Sequence, residues 1–136
     1  MRNLADRLGI KAPSLYKHVS SRREIETLLA AEALNEMRES LAAADGLEEM
    51  GRSYRAWGHR QPVALPDRHH PAHLTRENLP AGLEDAAAAP LLAAVDGDRA
   101  RACAFWALAH GLVLLELDGR FPGDADLEAA RLAGIS

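Results

Sequence analysis

Apolar residues recur along this chain at helical spacing over most of its length. Leu47, Met50, Tyr54 and Trp57 stand at i, i+3, i+7 and i+10, the period that lines up side chains along one face of an α-helix. That pattern stops at Gln61-Pro62. Upstream, Ser21 is placed to cap a long helix running to about Ala44, with Ile25, Leu28 and Leu29 inward near its start and Met37 and Leu41 inward later, before Asp45-Gly46 ends it. Leu83, Ala87, Leu91 and Ala94 form another stripe, with Pro90 expected as a kink or boundary. The segment from about Asp98 to Leu117 is apolar on nearly every face, and Gly119, Pro122 and Gly123 turn the chain into a last short helix from about Asp124 to Leu132. Between the second and third stripes, Pro62, Pro66, Pro71 and Pro80 with His69, His70 and His73 interrupt any period and read as a loop.

The N-terminal stretch has a tighter pattern. Leu4, Ala5 and Leu8 lie on one helical face, Gly9 supplies a left-handed reversal, and Ile10 and Leu15 close the angle to a second short helix that Pro13 begins. Ala5 is small where the second helix crosses. Ser14, Tyr16, Lys17 and His18 then point outward, a polar row of the kind that enters a DNA groove. Charge sharpens this reading. Residues 1–23 carry six basic residues against Asp6 alone, a balance of +5, whereas the remainder holds ten basic and nineteen acidic residues. A basic head on an acidic body confines the attraction for a polyanion to one end.

The run Leu4-Ala5-x-x-Leu8-Gly9-Ile10-x-x-Pro13-Ser14-Leu15-Tyr16-Lys17-His18-Val19, followed by Ser21-Arg22-Arg23-Glu24-Ile25, resembles the helix-turn-helix DNA-binding domain of the TetR family of bacterial transcriptional regulators. The resemblance implies that Tyr16, His18 and Arg22 hold the phosphate backbone with Lys17, and that Lys11 and Ser14 approach bases. A domain of that type has three helices, and this chain opens at the second, so the first helix is expected to be missing. Trp106-Ala107-Leu108-Ala109-His110-Gly111-Leu112 with Glu116-Leu117-x-Gly119-Arg120-Phe121-Pro122, together with Tyr54-Arg55-Ala56-Trp57, resembles the effector-binding domain of TetR-like regulators named for its Trp, His and Gly. There the middle helices surround a ligand cavity, which assigns Tyr54, Trp57, Trp106 and His110 to a pocket. A core role for the same side chains is an equal alternative from the residues themselves.

Composition limits the rest. Val, Ile and Thr together number nine among 136 residues, too few for a substantial sheet, so the expected fold is all-α and TetR-like. The single cysteine, Cys103, excludes an internal disulfide, fits a reducing cytoplasm and is expected to be buried. The nearly uncharged run Ala102 to Leu115 is too short for a bilayer span and contains His110. Asp67, His69, His70 and His73 crowd together, but the spacing fits no zinc motif and Pro71 breaks any regular face, so a solvated loop is expected and no metal is assigned. No catalytic constellation or cofactor motif stands out, and no enzymatic activity or cofactor is expected.

A helix apolar on all sides calls for a partner. The expectation is a homodimer in which residues 98–117 and the last helix meet their copies in a four-helix bundle through Val113, Leu115, Leu117 and Leu127. Residues 1–44 would form the DNA-reading head and connecting helix, and residues 45–136 the effector-binding and dimerising body. The expected partners are double-stranded DNA, a small-molecule effector and a second copy, with no membrane. The alternative is a dimeric ligand-binding or structural module that has lost DNA binding.

Overall fold

The computed structural model describes residues 22–61 and 76–135. Five α-helices account for most of them: α1 Arg22–Ala42, α2 Gly46–Arg60, α3 Leu83–Ala94, α4 Arg99–Leu117 and α5 Leu127–Ile135, with a short 3₁₀ turn at Arg76–Asn78 before α3. Among the described residues there is no strand, and the fold is all-α, as composition demanded. The Gly9 hairpin with Lys11, Ser14, Tyr16, Lys17 and His18, and the Asp67–His73 cluster, lie outside the described residues.

Each helix ends where a local device ends it. After α1 the backbone N–H of Asp45 donates to Glu49 Oε2 at 2.6 Å, so the cap of α2 comes from the acidic side chain one turn in and not from Asp45 itself. Gly46 follows at φ +86°, where a side chain would be strained. Between α3 and α4, Gly97 N–H donates to Leu92 O at 2.8 Å, closing the end of α3. Asp98 then caps α4 by accepting from Arg101 N–H at 3.0 Å. Asp126 does the same for α5 through Ala129 N–H at 2.9 Å, so this helix begins at Leu127 and not near Asp124. Pro90 neither breaks nor bounds α3, which continues to Ala94. Its neighbours Ala87 and Leu91 are buried, and that packing offsets the missing backbone donor.

The core joins every helix but α5: Ala33, Met37 and Leu41 from α1, Met50, Tyr54 and Trp57 from α2, Ala87 and Leu91 from α3, and Ala102, Phe105, Ala109 and Val113 from α4. α1 packs most extensively on α3 and then on α2, while α2 also touches α4 and α5. Leu28, expected inward, is instead 47% exposed near the start of α1. Cys103, expected buried, is exposed on α4. α4 is long and apolar enough to cross a membrane by length and composition alone, but its inner stripe is committed to the helical core.

α5 is seated by two glycines. A Cβ on Gly51 would come within 2.7 Å of Arg131 Cδ, so α2 and α5 approach this closely only because Gly51 has no side chain. A Cβ on Gly134 would overlap Leu108 of α4.

Candidate functional site

Four aromatic side chains assemble across the contact of α2 and α4. Tyr54 and Trp57 lie one turn apart on α2, and Trp106 and His110 one turn apart on α4, so each helix offers a ready-made pair. Tyr54 sits at the centre. Its ring lies 5.0 Å from Trp106, edge-on at 61°, and 5.5 Å from Trp57, both within the range where aromatic quadrupoles attract. Trp106 and His110 stack at 6.0 Å with their planes 9° apart.

The Tyr54 hydroxyl is almost completely buried and shares a 2.8 Å hydrogen bond with His110 Nδ1. Burial pushes the phenol upward from its ordinary value, so it stays protonated and keeps its donor. Trp57 is 2% exposed, and its Nε1–H has no hydrogen-bond partner. The quartet expected from the sequence is therefore brought together: Tyr54 and Trp57 are buried, and Trp106 and His110 are half-buried.

A set of ion pairs ties α2 to α4 and α5. Arg55 forks onto the Glu116 carboxylate, with Nε to Oε2 at 2.7 Å, and His59 Nε2 lies 3.1 Å from the same group. The Arg55 guanidinium, ahead of a smaller contribution from His59 and against partial desolvation, holds the Glu116 carboxyl down at about 2. Further along, Arg52 pairs with Glu48 on its own helix and with Glu128 of α5 at 2.9 Å. Arg131, 5% exposed, pairs with Glu128 at 2.6 Å. A void of about 10 Å³, room for one water, lies between Gly51, Arg55, Val113, Glu116, Leu127 and Arg131.

The other expected site residues are scattered. Arg22 is the first residue of α1, its side chain largely exposed and paired with Glu26 at 2.8 Å. Leu115 and Leu117 are 43% and 37% exposed, and Leu127 is half-buried. Val113 is 2% exposed inside the chain's own core and has no surface left to give a partner; a helix apolar on all sides did not reveal which side faces inward. Sequence reasoning also missed Arg131, whose only signal is Gly51, a glycine without an obvious local role in the middle of an apolar helical pattern.

The family profile described as the Tetracyclin repressor-like C-terminal domain matches residues 47–134, which includes all of the quartet. The chain belongs to the tetracycline-repressor-like family. A curated relative, an uncharacterized HTH-type transcriptional regulator of Mycobacterium tuberculosis, is 32% identical over 85% of this chain. The chain spans 60% of that relative's length. The crystal structure of the protein SCO4313 superposes with a TM-score of 0.65 over 96% of this chain and 80% of its own, at 24% identity, and so shares the fold. α3, α4 and nearly all of α2 and α5 thus fall within a tetracycline-repressor-like C-terminal domain.

Proposed function

We propose that this chain belongs to a ligand-responsive transcriptional repressor that acts in the cytoplasm as a homodimer, without an enzymatic step. The observation that carries the reading is the quartet itself: a buried tyrosine tied to a histidine on the neighbouring helix, inside the segment that matches the family. The division proposed is a DNA-reading head and connecting helix over 1–44 and an effector-binding, dimerising body over 45–136. Lys11 and Ser14 face bases, while Tyr16, Lys17, His18 and Arg22 hold phosphates. The partially or fully exposed leucines of α4 and α5, Leu115, Leu117, Leu127 and Leu132, support a two-fold interface. A small molecule that prefers one arrangement of α2 and α4 would bias the tilt of α1, and with it the spacing of two recognition helices on adjacent major grooves.

The test is selection of a bound site from random duplex DNA, followed by titration at several salt concentrations. The expected site is palindromic, with affinity falling steeply as salt rises because neutralised phosphates release counterions. Lys17→Ala and Arg22→Ala should weaken all sequences alike, whereas Lys11→Ala and Ser14→Ala should change sequence preference. Absence of DNA affinity at low salt in both this chain and a version extended at its N-terminus overturns the repressor reading. It would leave a dimeric ligand-binding module.

A further inference from the structure

α5 is attached to the body differently from the four helices before it. Each of α1, α2, α3 and α4 buries apolar side chains in the core, whereas the buried residue of α5 is Arg131, with Ile135 packed at the edge of the core. The segment that leads into α5, residues 118–126, is exposed apart from the half-buried Phe121. It adds little to hold the helix in place.

The seat itself is polar. Arg131 lays its side-chain carbons over Gly51 and gives its guanidinium to Glu128 at 2.6 Å. Glu128 also takes Arg52 of α2 at 2.9 Å, and Arg52 reaches Glu48. One carboxylate therefore neutralises the buried cation and ties α5 to α2. Such an anchor is conditional. Taking a guanidinium out of water is costly, and removal of its partner leaves a buried charge uncompensated, whereas an apolar side chain of similar size would hold without a partner.

α5 lies along α4, with Leu127 beside Leu112 and Glu116 at the small void and Gly134 against Leu108. Leu132 of α5 and Leu115 and Leu117 of α4 are exposed. Their relative placement is fixed only while α5 is seated.

We propose that α5 is a charge-held latch, fastened by Glu128 between Arg52 and Arg131, and that a seated latch is the condition for pairing with a second copy through α4 and α5. The second half rests on the homodimer reading above and gives it a regulation. Opening takes α5 off the body and leaves the core of α1, α2, α3 and α4 folded.

Hydrogen exchange and sedimentation of the full chain test the two halves. In the wild type the α5 amides should exchange faster than those of α2 and α4. Glu128→Gln should leave α5 open most of the time, its amides losing nearly all protection while α2 and α4 keep theirs. Both copies must be closed to pair, so the dimer should weaken about tenfold or more. Arg52→Gln leaves Arg131 its partner; it should speed α5 exchange with the dimer nearly unchanged, and it serves where Glu128→Gln does not fold. Glu128→Gln combined with Arg131→Met removes the buried charge and puts an apolar chain over Gly51, and should restore both slow α5 exchange and the dimer.

Equal exchange of α5 and α4 in wild type and Glu128→Gln overturns the latch, as does a double variant as open as Glu128→Gln alone. A dimer that Glu128→Gln does not weaken, although α5 opens, overturns the condition on pairing and leaves the homodimer. A chain monomeric throughout, with α5 exchange still set by Glu128, defeats the homodimer and its gate and leaves the latch.

Discussion

The two faces of α4 have nearly the same composition and opposite fates. Ala102, Phe105, Ala109 and Val113 run along the inner face and are at most 7% exposed. Cys103, Ala104, Ala107, Leu115 and Leu117 are exposed on other sides. Hydrophobicity alone does not separate them; the difference lies in what the remaining helices can reach. With α2, α3 and α5 all packed on α4, the inner stripe is used within one chain, and the outer leucines stay exposed, the face proposed above for a second copy.

The strongest way to break this comparison is to put the same charge on each face. Val113→Asp should unfold the protein, because an unpaired carboxylate in the core costs several kcal/mol, a large part of the stability of a small domain. A cooperative melt within a few degrees of the wild type would move Val113 out of the core. Leu115→Glu should retain the helical circular dichroism signal and shift the sedimenting species from dimer to monomer. If wild type and variant are both monomeric at micromolar concentration, the outer face has another role.

Gly51→Val tests whether α5 holds the inner arrangement from the α2 side. The new side chain meets Arg131 at Cδ and must displace it, for an expected loss of about 1–3 kcal/mol in denaturant unfolding. Gly51→Ala should lie at the lower end, since the Arg131 side chain has some freedom to shift. Equal stability of all three would mean that α5 does not rely on this contact.

A smaller effect is expected at the quartet. Tyr54→Phe keeps the ring contacts with Trp57 and Trp106 but removes the hydroxyl that His110 Nδ1 faces, a cost of about 1–2 kcal/mol. A neutral result would show that the bond is replaced by solvent.

The smallest effect sits on the rim. Glu116 is held at about 2 in the folded chain against an ordinary value of 4.5, so the unfolded chain takes up its proton first as pH falls. Its contribution is therefore fully present above 4.5 and is lost between there and about 2. Because Arg55 is 44% exposed, screening limits the pair to about 1 kcal/mol or less. Glu116→Gln should flatten the acid limb of the stability curve over that window; an unchanged limb would assign the acid sensitivity to other carboxylates.

Helical periodicity determined a great deal of this protein. The Leu47, Met50, Tyr54, Trp57 stripe became the buried face of α2 apart from the half-buried Leu47, and Met37 and Leu41 are buried as their spacing required, because side chains three and four residues apart share a face whatever the helix packs against. The pairs Tyr54/Trp57 and Trp106/His110 were legible for the same reason. Tertiary structure alone decided what was non-local. It fixed which side of α4 turned inward, which buried Val113 and exposed Cys103, and it seated Arg131 over Gly51 across 80 residues of chain. It also left Trp57 Nε1 without a hydrogen-bond partner inside the core. Local sequence sets the period of a helix, but its azimuth depends on the combined packing of every neighbour.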